Sequence, residues 1–391
     1  MTSYILHSPN AVFGHEGCPS ILIEGETIKA IADEAELVKI DPDAKLVNAG
    51  GSVVIPGFVD CHTHLVFAGS RENELFMRAQ GKPYLEILEA GGGIHNTVRA
   101  VHAASEDELV ARGRRFLDYA LKMGLTTVEI KSGYGLDYEN ELKMLRAIRR
   151  LSEEHAVDIV PTYLVHSVPK GVDRTDYLDE VENRMIPAFR EYADWFDIFI
   201  EKGVFSVEEG RRLIDCAKAE GYKIGFHTNQ VHDLGGVALA AETGALHVDH
   251  LETLSDADAR RIMATPDLYA VFLPTAEGLV FSQHTGRIDR LMEIPERLIL
   301  SSDFNPGSSP VLNPLFVMTY AVLRYRLSNP ELMIKAMTHN PARMLGLNDR
   351  GAIAPGKKAD LVLLDLDNID QIPYFGTFPI VRQVIKNGRP V

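Results

Sequence analysis

The chain has 391 residues, 46 % of them hydrophobic and 24 % charged, an ordinary globular mix that excludes disorder, collagen and disulfide scaffolds. Its 40 Lys+Arg against 55 Asp+Glu leave a net charge of −15, which argues against nucleic acid or an anionic membrane as partner, because both require a basic face. Three scattered cysteines, Cys18, Cys61 and Cys216, make no disulfide framework and point to a reducing, cytoplasmic setting. The opening MTSYILHSPN has no basic segment and no long apolar run, so it does not read as a signal peptide, and no stretch of about 20 apolar residues suggests a membrane span.

Residues 1–56 read as β-rich, with short apolar runs (SYIL, SILIEG, TIKAIA, KLVNAG, SVVIPG) broken by Gly, Pro and Asp. From residue 57 strand-like and helical stretches alternate. Eight apolar runs are predicted as strands: Val53–Val59, Thr126–Ile130, Ile159–Val165, Phe196–Ile200, Lys223–Phe226, Leu246–Val248, Tyr269–Leu273 and Leu298–Leu300. Between them, Glu106–Met123, Tyr138–Glu154, Tyr177–Ala193, Val207–Glu220 and Ala257–Ala264 are predicted as helices. This is the arithmetic of an α/β fold, a (β/α)8 TIM-like barrel over 57–349, although a doubly wound open sheet shares the local pattern. The polar residues favour the barrel. They fall where the runs end, as in Asp60-Cys61-His62-Thr63-His64, Lys131-Ser132-Gly133-Tyr134, His166, Glu201-Lys202, His227-Thr228-Asn229-Gln230, Asp249-His250, Pro274-Thr275 and Ser301-Ser302-Asp303. In a barrel those ends converge on one mouth. After about residue 350 the texture is β-like again (GAIAPGKKADLVLLDLDN, VRQVIKNGRPV), so 1–56 with 350–391 is predicted as a second, composite domain.

His62-x-His64 places two imidazoles on one side of an extended segment, where both can grip one metal ion. His227 and Asp303 end other runs, and three His plus one Asp leave room for a water, a catalytic rather than a structural arrangement. The alternative is that these are hydrogen-bonded polar residues on a barrel rim. A bound metal acidifies its water, and Asp303 can both hold the metal and take the proton. His250 either orients and polarises a substrate carbonyl or hydrogen-bonds a ligand from behind. Cys61 and Cys216 read as packing residues, and Ser132 sits in no nucleophile elbow. Gly91-Gly92-Gly93 and Asn305–Ser309 lack phosphate-loop spacing, and the second reads as a nest of donors for a carboxylate. Arg71 offers a planar fork for a carboxylate, or else a surface ion pair.

The segments PGFVDCHTHLVFAGSRENE, GGGIHNTVRA, TTVEIKSGYGLDYENELKML, VDHLE and SSDFNPGSSP resemble the imidazolonepropionases of histidine degradation, members of the amidohydrolase superfamily. The resemblance runs over nearly the whole chain; EIKSGYGL and DFNPGSSP are its specific parts, while HTH and the ADLV tail are shared across the superfamily. It implies a (β/α)8 barrel with a composite β-sandwich, and metal-dependent hydrolysis of the cyclic amide of 4-imidazolone-5-propanoate to N-formimidoyl-L-glutamate. It implies one zinc or iron ion on His62, His64, His227 and Asp303. Catalytic roles fall to Asp303 and His250, and substrate contacts to Arg71, Tyr84, Tyr134, His166, Gln230, Asn305, Gly307 and Ser308. It is compatible with a homodimer, and it gives Lys202 no role. Three segments depart from the family pattern: HTNQ, with Asn229 where Asp is expected; LVHSVP; and EGLVFSQHTGRIDRL, which is expected to wall the pocket. The rival within the superfamily acts on a different cyclic amide or deaminates a ring imine or amine. A rival outside it is a non-catalytic barrel that binds a small acid or a metal.

Overall fold

The computed structural model describes residues 3–17, 19–82, 86 and 92–391. Tyr84, Cys18 and Gly91 of the expectations above lie outside the described residues. Packing divides the chain into two units: Met1–Asp60 with Asp118–Thr127 and Asn313–Val391, and Cys61–Leu117 with Val128–Leu312.

In the first unit two sheets share a core. One orders as β4 (Thr27–Ala32), β3 (Ser20–Glu24), β1 (Ser3–His7) and β5 (Lys45–Asn48). The other orders as β17 (Arg389–Pro390), β16 (Val381–Lys386), β15 (Leu361–Leu364), β6 (Val53–Pro56) and β2 (Ala11–Val12). Leu6, Ile21, Ile23 and Ile28 from the first sheet pack on Val54, Leu361, Leu363 and Ile385 from the second. Alternation along each strand sends these apolar side chains to one face, which is buried only when the sheets stack. A helix over Glu34–Ile40, which the sequence reading lacked, covers β1 and β3 through Leu37.

The expected first run, Val53–Val59, is two strands and not one. β6 pairs antiparallel with β15, Val53 opposite Leu364 and Pro56 opposite Leu361. After Gly57 the chain re-enters extended structure as β7 (Phe58–Asp60) in the barrel sheet. Pro56 has no N–H with which to continue a ladder. A Cβ on Gly57 would lie 2.3 Å from Thr126 Oγ1, so only glycine passes there.

The barrel sheet orders sequentially from β7 through β8 (Leu125–Lys131), β9 (Asp158–Val165), β10 (Trp195–Ile200), β11 (Lys223–Thr228), β12 (His247–His250) and β13 (Tyr269–Phe272) to β14 (Leu298–Leu300). The pairs from β9 to β14 are parallel. A parallel bridge between Thr63 and Phe304, with His64 N–H donating to Phe304 O at 2.8 Å, joins the segments that follow the first and last strands. The helices follow the sequence pattern. Tyr138–Glu154 buries Leu142, Met144, Leu145, Ile148 and Leu151 on one stripe and is capped by the Asp137 carboxylate accepting from Asn140 N–H. Val207–Ala219 opens on a capping box of Ser206 and Glu209. The predicted helix Tyr177–Ala193 instead spans Arg174–Phe189 with a π-turn over Val181–Met185. Pro187, just beyond that turn, lacks the N–H for a regular ladder, and the wider turn accommodates its ring. Among the described residues no helix is long and apolar enough to cross a membrane.

Candidate metal centre and active-site cavity

Every side chain of the site belongs to the second unit. His62 and His64 follow β7 with one residue between them, so both rings face inward, and both are buried. His227 sits near the end of β11, His250 at the end of β12, and Asp303 three residues past β14. The three imidazoles of His62, His64 and His227 form a cluster whose ligand atoms lie within 4.8 Å of one another. Asp303 Oδ1 is 3.5 Å from His62 Nε2 and 3.4 Å from His64 Nε2, and His64 Nε2 is 3.4 Å from His227 Nε2. These separations are long for hydrogen bonds. They match a tetrahedral ion, since bonds of about 2.1 Å place neighbouring ligand atoms roughly 3.4 Å apart.

Buried carboxylates support the rings from behind. Asp249 Oδ2 accepts from His62 Nδ1 at 2.6 Å, and Asp197 Oδ1 accepts from His227 Nδ1 at 2.9 Å. Each bond turns the Nε2 lone pair towards the centre. Beneath them Lys131 Nζ lies 3.0 Å from Glu129 Oε1 and 2.9 Å from Asp197 Oδ2. Burial pushes the His64 and His227 imidazoles down and keeps them neutral, whereas His62 goes the other way. Burial and Lys131 push the His62 imidazole down, but Asp249 and Asp303 outweigh them and raise it to about 10. Burial would raise the Asp303 carboxyl, yet His62 and His64 hold it well below the usual carboxylate range. The three-histidine, one-aspartate donor set would suit a divalent cation.

A cavity of about 100 Å³ opens on the cluster, lined by His64, Arg71, Ile94, Tyr134, His166, Phe199, His227, Gln230, His250, Asp303, Asn305 and Ser308. The fold thus gathers the expected residues, with three qualifications. Neither His62 nor Gly307 lines the cavity, and Tyr84 is outside the described residues. Arg71 is both cavity lining and ion pair. Its Nε and Nη2 each donate to Glu74 at 2.8 Å, while a Cβ on Gly307 would fall 2.3 Å from Nη1. Glu74 also takes Arg78 Nη2 at 3.0 Å and Gly93 N–H at 2.8 Å, and Arg78 Nη1 donates to Gly307 O at 2.9 Å.

Two expectations are corrected. The Asn305–Ser309 loop is not an open nest of amides: Gly307 N–H and Ser308 N–H both donate to Asn305 Oδ1, at 2.8 and 2.7 Å. An asparagine that accepts from the residues two and three ahead closes its own turn, leaving the Asn305 and Ser308 side chains to line the cavity. The 277–291 segment supplies no lining residue. Buried Glu277 accepts from Gly286 N–H at 3.3 Å and folds that segment onto itself.

Asn229 also finds its reason. It sits at φ +56°, a conformation asparagine tolerates. Its amide donates to Asp258 Oδ2 at 3.4 Å rather than facing the cavity, and an aspartate there would set two carboxylates together. Gln230, next in the chain, does line the cavity. His250 is held at φ +81° with its Nδ1 3.3 Å from Glu252 Oε1, and Glu252 raises its pKa against the effect of burial. Strain of this kind costs of order 1–3 kcal/mol and persists only where the surroundings impose it. Burial, with His64 alongside, pushes the His166 imidazole down to about 3. Lys202 is exposed, Cys61 is buried, and Cys216 is half-buried with its Sγ near Glu182 O.

Sequence reasoning gave no role to Asp197, Asp249, Glu129, Lys131, Glu74 or Glu252. A signal was present for four of them: WFDIF, HVDH and VEIK each place charge inside an apolar strand run, where it has to be paired.

A family model described as "Amidohydrolase family" matches residues 67–391. An imidazolonepropionase of Alkaliphilus metalliredigens is 40 % identical over 380 residues, covering 95 % of this chain and 89 % of that protein. One of Geobacillus kaustophilus is 42 % identical over 384 residues, covering 95 % and 89 %. The fold of 5-methylcytosine deaminase from Klebsiella pneumoniae superposes with a TM-score of 0.79 at 17 % identity, covering all of this chain and 97 % of that one. An adenosine deaminase from Xanthomonas campestris gives 0.75 at 15 %, covering 100 % and 92 %. The chain belongs to the amidohydrolase family and, within it, to the imidazolonepropionases: it is a hydrolase acting on a C–N bond of a cyclic amide.

Proposed function

We propose that the chain hydrolyses the ring amide of 4-imidazolone-5-propanoate to N-formimidoyl-L-glutamate in histidine degradation, using one zinc or iron ion held by His62, His64, His227 and Asp303. The observation that carries this reading is one cavity with a metal-ligating cluster on its floor and an arginine in its wall. A divalent ion in that position would acidify water and polarise the ring carbonyl. The rest falls to the chain's own residues. Arg71, with Tyr134, Asn305 and Ser308, binds the propionate, so that affinity far from the reacting bond orients the ring. Glu252 holds Nδ1 of His250, leaving Nε2 to donate to the carbonyl oxygen as negative charge develops on it. Asp303 takes the proton of the attacking water and delivers it to the ring nitrogen as the C–N bond breaks. His166, kept neutral, and Gln230 contact the heterocycle.

The same proposal treats 1–56 with 350–391 as a composite β-sandwich domain and 57–349 as the hydrolase barrel, a division supported by the core the two terminal sheets share. It includes a cytoplasmic homodimer acting on a small anion, with no nucleic-acid partner; the acidic balance supports the absence of a nucleic-acid partner, and the sparse cysteines support the reducing setting. Generating the imidazolone in situ from urocanate with urocanase tests the function. Added protein is expected to speed the loss of imidazolone absorbance and yield formimidoylglutamate, with about one metal ion per chain. Metal-loaded protein without turnover would overturn it.

A further inference from the structure

The metal-capable atoms of the site form two overlapping groups. Besides the three-histidine cluster, one atom each of Asp197, His227 and Asp249 lie within 4.8 Å of one another, and all three residues are buried. Two carboxylates and an imidazole so close together attract a cation. One is already there. Lys131 Nζ sits 2.9 Å from Asp197 Oδ2, and its side chain is 1 % exposed. Lys131 does not line the cavity, so it is not placed to touch substrate.

We propose that Lys131 is a positioning residue whose ammonium serves as the resident cation of this second group, restricting the centre to a single metal ion and fixing the carboxylates that aim its ligands. The proposal rests on the metal reading of the preceding subsection and deepens it. Asp197 Oδ1 accepts from His227 Nδ1 and orients that ring, while its buried Oδ2 has no hydrogen-bond donor and is balanced by the Lys131 ammonium 2.9 Å away, in the place a second ion would take. Asp249 is likewise spanned, with Oδ1 on His247 Nδ1 at 2.6 Å and Oδ2 on His62 Nδ1 at 2.6 Å. On its other side Lys131 holds Glu129, whose Oε2 accepts from the N–H of Thr63, the residue between His62 and His64. One ammonium therefore ties the undersides of both ligand-bearing segments. A second divalent ion would have to enter beside a fixed positive charge in a buried, weakly screened site, where the repulsion is strong. A neutral side chain at 131 removes that repulsion and frees Asp197 Oδ2.

The test strips the full-length protein of metal and titrates it with Co²⁺, reading bound metal by elemental analysis and spin coupling by electron paramagnetic resonance. Wild type is expected to saturate at about one ion per chain with an uncoupled signal. Lys131→Met and Lys131→Gln are expected to take up a second, spin-coupled ion, whereas Lys131→Arg stays at one. Two ions in wild type would overturn the proposal, as would neutral variants that remain at one. Neutral variants that fail to fold even when expressed in excess metal also count against it, because an ion at that position should replace the ammonium. One ion in every protein removes the Lys131 proposal and leaves the metal reading standing; wild type that binds none removes both.

Discussion

The floor and the wall of the cavity are built on different principles. The floor comes from strand ends: His62, His64, His227 and Asp303 are almost fully buried, and His62 and His227 are backed by carboxylates that are themselves buried. The wall comes from loops. Arg71, Asn305 and Ser308 are steered by local bonds, Glu74 to the arginine and Asn305 to its own turn. A floor made of sheet holds a reacting geometry to a fraction of an ångström, whereas a wall made of loops can change its ligand without disturbing the metal. Damage to the floor should therefore abolish chemistry or metal binding, and damage to the wall should weaken binding.

The sharpest break is Asp303→Ala. It removes a proposed metal ligand and the proposed proton carrier together, and kcat is expected to fall by about 10³-fold or more; a variant that keeps a tenth of wild-type turnover would remove Asp303 from the chemistry. Asp249→Asn tests the support behind the floor. It keeps the shape but loses the charged acceptor for His62 Nδ1, and metal affinity measured by chelator competition is expected to drop about 10–100-fold. In the wall, Arg71→Met removes charge-assisted bonds of roughly 1.5–3 kcal/mol, so KM should rise about 10- to 150-fold with metal content unchanged. A fall in kcat at constant KM would break the contrast between floor and wall.

The smallest effect concerns pH. His166 is held neutral in the folded chain, its imidazole pushed down to about 3 by burial and the neighbouring His64. Below about pH 6.5 the unfolded chain takes up a proton at this position that the folded chain refuses, so stability contributed here is lost as pH falls from there towards 3. A cation at the histidines acts in the same direction. His166→Asn is expected to flatten the acid side of the stability curve, followed by thermal unfolding at a series of pH values; an unchanged curve would show that His166 is free to protonate.

How far the chain can be read without its structure differs from region to region. The strand pattern, the positions of His62, His64, His227, His250 and Asp303 at the ends of apolar runs, and the amphipathic helices are local properties, carried by residue order at periods of two and 3.6. So is the family signature in EIKSGYGL and DFNPGSSP. What local order did not reveal was which sheet a strand joins. Val53–Pro56 and Phe58–Asp60 look like one run, and only the approach of Thr126 to Gly57 and the pairing with Leu361–Leu364 separate them. Nor did it reveal that the amides of Gly307 and Ser308 are consumed by Asn305, or that the 277–291 segment leaves the cavity alone.

By itself the sequence carried the alternating runs of a barrel and the polar residues at their ends, because these are written in local spacing, and its family resemblance carried the class of chemistry. The tertiary structure alone decided which carboxylate stands behind which histidine, that Lys131 at the end of β8 meets Asp197 of β10, and that Glu74 turns Arg71 towards the cavity. These are relations between residues as many as 187 positions apart, as for His62 and Asp249. They arise because burying a charge is costly unless an opposite charge meets it, and only the closed sheet brings the two together.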